Sequence, residues 1–191
     1  MKKSLIVILS IVAVILIAVV WLWSSYNKLV TANEAVDNQW AQVETQYQRR
    51  FDLIPNLVSA VKGAMGQEQK VFGDLEAARE NYSGAQSVNA KAEAASQVES
   101  SLSRLLVIME NYPQLKSIDT VQTLMAQLEG TENRISVERG RFNDEVKAYN
   151  IMIKQVPMNL IAKSFGYTDK AYFQVAAGVE VVPKVDLNLS Q

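Results

Sequence analysis

The chain opens on an apolar run that has no polar face. From Ser4 to Trp23 the residues SLIVILSIVAVILIAVVWLW carry no charge. At about 1.5 Å per residue a helix of this length spans roughly 30 Å, the hydrocarbon thickness of a bilayer, so the segment predicts a membrane-crossing helix. Beyond it the period becomes helical at once. Leu29, Val36, Trp40, Val43, Tyr47, Phe51, Ile54, Val58 and Val61 recur by threes, fours and sevens, a single apolar stripe that runs on past Met65. No cluster of Gly, Pro or Ser divides span from stripe. The pattern therefore predicts one helix from Tyr26 to about Glu80, on the order of 80 Å long, softened in its second half by Gly63, Gly66 and Gly73. Such a helix needs partner helices along its length.

Two further stripes supply them. After the turn-rich stretch NYSGAQSVN, Ser87 or Asn89 is placed to cap a helix whose inner positions are Ala95, Val98, Leu102, Leu105 and Met109. Tyr112 and Pro113 interrupt it. Asp119, with Gln122 three residues on, resembles a capping box and opens a third pattern of Val121, Leu124, Leu128, Ile135, Phe142, Val146, Tyr149 and Ile153, which ends before Pro157. A short helix from about Asn159 to Phe165 is closed by Gly166, and Thr168 is placed to cap another brief turn. The ending VEVVPKVDLNLSQ changes to a period of two through Val185, Leu187 and Leu189; with no earlier segment to pair with, it reads as an extended or disordered tail. The fold class is all-α, an N-terminal transmembrane helix followed by a long antiparallel helical bundle and this tail. The corresponding division of the chain is 1–25, 26–173 and 174–191.

Composition narrows the chemistry more than it adds to it. The 191 residues include no cysteine and no histidine, so disulfides, thiol nucleophiles, Cys/His zinc sites and histidine general bases do not arise. The Glu-x-x-His pattern of bundle di-metal sites is missing for the same reason. Serines lack a G-x-S-x-G context, the glycines form no phosphate loop, and 19 basic against 20 acidic residues without long runs give no nucleic-acid surface. No catalytic residue, cofactor site or metal site is expected.

The span itself reads as a retained anchor rather than a cleaved signal, because a cut near Ser25 would put Trp23 where a small residue is required. Trp21 and Trp23, with Tyr26 just beyond, suit a membrane-interface belt. Lys2 and Lys3 precede the span, against Lys28 alone in the twenty residues after it, which favours a cytoplasmic N-terminus and a bundle outside.

One stretch, RRFDLIPNLV at 49–58, breaks the local rules. Pro55 has no N–H for the carbonyl of Phe51, yet the stripe continues through it in phase, so it predicts a kink inside the helix, with Asn56 or water meeting the freed carbonyl. Arg49, Arg50 and Asp52 beside the stripe are explained by interhelical ion pairs with charges such as Glu132, Arg134, Glu138, Arg139 and Arg141 on the third helix. The competing reading is contact with an anion or a lipid phosphate.

Taken together, YNKLV at 26–30, VDNQWAQVETQYQRRFDLIPNLVSAVKG at 36–63, RLLVIMENYPQLK at 104–116, TENRISVERGRFNDEVKAYN at 131–150 and FGYTDKAYF at 165–173 resemble the LemA family of bacterial membrane proteins. The resemblance covers nearly all of the chain beyond the span and implies the same anchor-and-bundle architecture. It implies no catalytic motif. Family descriptions place the bundle in the cytoplasm, opposite to the lysine bias, and associate some members with membrane metallopeptidases or other envelope proteins. Arg49, Arg50, Asp52, Pro55, Asn56, Tyr149 and Asn150 match the family pattern and are the candidate interaction or structural positions.

The expected function is a non-enzymatic membrane-anchored scaffold or adaptor whose partners are the lipid bilayer, an unidentified membrane or envelope protein, or further copies of itself. Ala32, Ala35, Ala77 and Ala78 would permit the close helix approach that self-assembly uses. A signalling or stress-response module that transmits a change along the helix bent at Pro55 is the alternative, and an enzyme is the least supported.

Overall fold

A computed structural model describes residues 2–66 and 68–173, and its described residues form helices without a strand. The helices are α1 (Lys2–Lys62), α2 (Gln69–Gly84), α3 (Val88–Met109), α4 (Asp119–Lys154) and α5 (Met158–Ser164), with a 3-10 turn over Pro113–Ser117. The residues after 173, where the alternation of Val185, Leu187 and Leu189 falls, lie outside the described residues. The chain forms two compact units, one from residues up to Gln46 with Asn133–Tyr172, the other from Tyr47–Glu132 with Phe173.

In the first unit, α1 is exposed at every described side chain from Leu5 to Ser24, with Ile17 at 69% and Trp23 at 71%. Burial begins abruptly at Ser25, and Leu29, Val36 and Val43 are fully covered. The exposed apolar segment and the packed helix are thus one uninterrupted element. Opposite the packed part lies α4, which buries Ile135, Phe142, Val146, Tyr149 and Ile153, the positions its period predicts. Trp40 meets the edge of Phe142 with ring centroids 5.2 Å apart, and Gln39 Nε2 donates to Glu138 Oε2 at 2.7 Å. The helix α5 follows a cis Val156–Pro157 bond. It ends as its glycine predicts. Gly166 adopts φ 78°, the Tyr167 N–H reaches back to the Ala162 carbonyl at 2.9 Å, and the Gly166 N–H reaches the Lys163 carbonyl at 3.4 Å, a Schellman closure. Thr168 caps no helical turn, because residues 168–173 run without regular structure.

In the second unit the long helix predicted to Glu80 does not exist. α1 stops at Lys62 and α2 begins at Gln69. Gly63 and Gly66, each about 1 kcal/mol poorer in a helix than alanine, weaken the same turn. The chain reverses there, with Met65 fully buried. α2 then packs back along α1, and Tyr82 near its end meets Tyr47 and Phe51 with ring centroids 5.5 and 4.6 Å away. Ser87 caps α3, its Oγ accepting from the Ala90 N–H at 3.2 Å. The predicted turn-rich loop is shorter than its composition suggests, since Asn81 to Gly84 still belong to α2. Contacts of Asn81 with Gln97 and of Asp74 with Arg104 show that α2 and α3 are antiparallel. Pro55 lies inside α1, as the stripe implies. After it the buried position is Leu57 rather than Val58, which is half-covered, because the step from Ile54 is three residues instead of four.

Candidate functional site

The RRFD segment divides according to helical geometry. Arg50 lies three residues after Tyr47 and four before Ile54, on the inward face, and only 7% of its surface is exposed. Its guanidinium pairs with Glu132 of α4 and lies 3.6 Å from Glu99 of α3. Three helices of the second unit therefore meet at one cation. Tyr47 Oη is 3.5 Å from the same Glu99 carboxylate. The inward position of Arg50 also leaves its Nε buried with no acceptor among the described residues.

Arg49 and Asp52, by contrast, face solvent. Asp52 accepts from Gln48 Nε2 at 2.8 Å, and Asn56 Nδ2 donates to the Asp52 carbonyl at 3.3 Å, so Asn56 meets the neighbour of the carbonyl that Pro55 frees. The structure thus separates the motif into one interior ion-pair residue and an outward row. The ion-pair reading holds for Arg50, and Arg49 takes no part in it.

Tyr149 and Asn150 form a second built site, in the first unit. Both are buried, at 2% and 6% exposure. Asn150 grips the backbone of Lys170 at two points, Nδ2 donating to its carbonyl at 2.8 Å and Oδ1 accepting from its N–H at 2.9 Å. Tyr149 Oη donates to the Thr168 carbonyl at 3.1 Å. Around this backbone clamp, Lys170 Nζ bonds Asp37 at 2.5 Å and sits 5.7 Å from the Tyr149 ring, while Lys154 pairs with Asp169 at 2.8 Å. Because main-chain groups of residues 168–170 have no helical partners, the two side chains replace a secondary-structure ladder. Sequence reasoning singled out Tyr149 and Asn150 but not Asp37, Glu99 or the strap itself. The one signal for Glu99 was a charge on the inward face of α3, between Ala95 and Leu102.

Two expectations follow from the clamp. Asn150→Ala removes both bonds to Lys170 at about 1 kcal/mol each, so residues 167–173 should exchange amide hydrogens faster and be cut sooner by protease while α3 protection is unchanged. Asn150→Asp keeps the acceptor but not the donor, and should fall between. The second expectation concerns pH. Burial raises the Tyr149 hydroxyl above its ordinary value of 10.0, with Tyr167, Asp169 and Asp37 adding to the shift. The folded state holds this proton more tightly than the unfolded chain. Its contribution is therefore complete below about pH 10 and is lost as pH rises through the folded value, a loss that Tyr149→Phe should remove in alkaline unfolding titrations.

Near the span, Trp21 and Trp23 are 46% and 71% exposed, while Tyr26 packs on Phe165 with ring centroids 4.7 Å apart. Among the described residues no group of acidic side chains is arranged to hold a metal ion.

Comparison with known proteins connects these features to a family. The model of the LemA family matches residues 39–187. Magnetosome protein MamQ 2 of Paramagnetospirillum magneticum is 26% identical over 175 positions, a match covering 78% of this chain and 64% of that protein. Magnetosome protein MamQ of Magnetospirillum gryphiswaldense matches with the same identity and coverage over 174 positions. The chain spans just under two thirds of the length of these curated relatives.

Proposed function

Because this chain belongs to the LemA family and is a membrane-associated helical protein, we propose that it acts as a single-pass, non-enzymatic scaffold or adaptor of the bacterial inner membrane. One observation carries the reading: α1 passes from the lipid-facing residues 5–24 into core positions at Ser25 and Leu29 without a break. Anchor and folded part share a backbone, so a partner bound to the helices is held at the membrane by the same element that crosses it.

The candidate residues then serve architecture, Arg50 by joining three helices, Tyr149 and Asn150 by clamping the strap. The lysine bias favours the folded part lying outside. A single cysteine introduced at exposed Ser103 or Asp52 is a clean reporter, because the native chain has no thiol. A membrane-impermeant maleimide should label it in intact spheroplasts, and labelling only after lysis would reverse the orientation.

Pro55 within α1 favours the signalling reading as the alternative. Pro55→Ala restores a backbone donor and should raise thermal stability. A scaffold keeps its partners after that change, whereas a transmitter that depends on the bend loses its output.

A further inference from the structure

The second unit contains a groove of about 720 Å³ between α3 and α4. The contacts of Arg50 with Glu99 and Glu132 mark one end of this antiparallel pair, and the groove runs from there toward Met109 and Val121. Its walls match. Leu102, Leu106 and Met109 on α3, and Val121, Met125 and Leu128 on α4, repeat at i, i+4 and i+7, so each wall presents two helical turns of apolar surface, about 10 Å long. Four of these residues are buried and form the floor, Leu106 and Met125 are half-covered, and Val107 stands 64% exposed at the lip.

The polar lining is one-sided. Among the described residues, Glu110, Glu129 and Glu132 line the groove against one cation, Arg50, which is already paired with Glu132 and Glu99 and whose side chain is only 9% exposed. We infer that this groove docks an amphipathic helix of a partner protein, one that lays an apolar stripe between α3 and α4 and presents Lys or Arg to the acidic rim. The inference rests on the adaptor reading and names the kind of segment the adaptor holds.

Charge complementarity selects this occupant. A second copy seated through the same groove would bring acidic rim against acidic rim, and an anionic lipid headgroup would meet the same repulsion. The two-turn apolar walls suit the i, i+3/i+4, i+7 anchors of a bound helix, and methionine at positions 109 and 125 adapts to irregular apolar partners.

The test uses full-length protein in neutral detergent and two labelled peptides with the same leucine stripe, one with lysine on its polar face and one with glutamate. Fluorescence anisotropy should show the lysine peptide binding at least about tenfold tighter, a difference that shrinks as salt rises. Glu110→Lys with Glu129→Lys, both at exposed positions, should invert the preference, and Val107→Asp should weaken the lysine peptide by about tenfold. Circular dichroism of each variant confirms that the helices are retained. Equal affinity for the two peptides, no binding of either, or a preference untouched by the charge reversal would overturn the groove assignment. So would a change in particle size on Val107→Asp without peptide binding, which would make the occupant a second copy. Crosslinking of a partner in cells that survives Val107→Asp would leave the adaptor standing and remove only this site.

Discussion

Ile11→Arg combined with Val14→Arg should remove the protein from the membrane fraction. Each arginine near the middle of a spanning helix costs about 2.5–3.5 kcal/mol for insertion, so the pair costs on the order of 6 kcal/mol. Native Ile11 and Val14 are 55% and 65% exposed, with no protein surface over them that could shelter a guanidinium. Both sit too far from either end of the span to reach the headgroups readily. α1 is the one helix, among the described residues, long and apolar enough to cross a bilayer. Carbonate extraction followed by fractionation reads the outcome: the variant in the supernatant, wild type in the pellet, and an Ile11→Leu, Val14→Leu control in the pellet as well. A variant that stayed in the pellet through extraction would show attachment by some route other than α1.

Arg50→Ala has the next largest expected effect, a loss of about 2–3 kcal/mol. Removing one member of a buried ion pair costs about 3–5 kcal/mol when the remaining charge is left dry. Here the loss is smaller, since the Glu132 and Glu99 side chains are 44% and 23% exposed and regain part of their hydration. The thermal midpoint should fall by roughly 5–10 °C. Arg50→Lys should lie between, because its ammonium keeps the charge but has a shorter reach than Nη1, the guanidinium nitrogen that meets both carboxylates. Coupling distinguishes the ion pair from packing alone. Arg50→Met with Glu132→Gln should be less destabilised than the two single changes summed, by about 1 kcal/mol or more, and strict additivity would mean that the guanidinium contributes through its apolar stem.

Periodicity carried most of the architecture. The inward residues of α3 and α4, from Ala95 to Met109 and from Val121 to Ile153, are those their spacing selects, since a 3.6-residue repeat maps directly onto the buried face of a helix. Pro55 was legible as an interior position for the same reason: the stripe keeps its phase across it. Where the reading failed, the deciding information was not periodic. A stripe continuing past Met65 looks identical whether the helix runs on or turns back, and the choice between them was made by Gly63, Gly66 and the tertiary contact of Tyr82 with Tyr47 and Phe51. The strap at 168–170 follows neither period, because its backbone is satisfied by Asn150 and Tyr149 from a helix some twenty residues earlier. At the candidate site, helical angles suffice to turn Arg50 inward and Arg49 outward. They do not identify Glu99 as a third partner, which depends on how α3 is seated against α1.

Crosslinking in living cells, followed by detergent extraction and identification of the attached chains, tests the scaffold proposal most directly. The account predicts a discrete, stoichiometric membrane or envelope partner, or a ladder of this chain alone, and either species should persist in the Arg49→Ala variant, whose side chain lies outside the ion-pair node. Recovery of an uncrosslinked monomer under conditions that capture a known membrane complex in the same cells would contradict it.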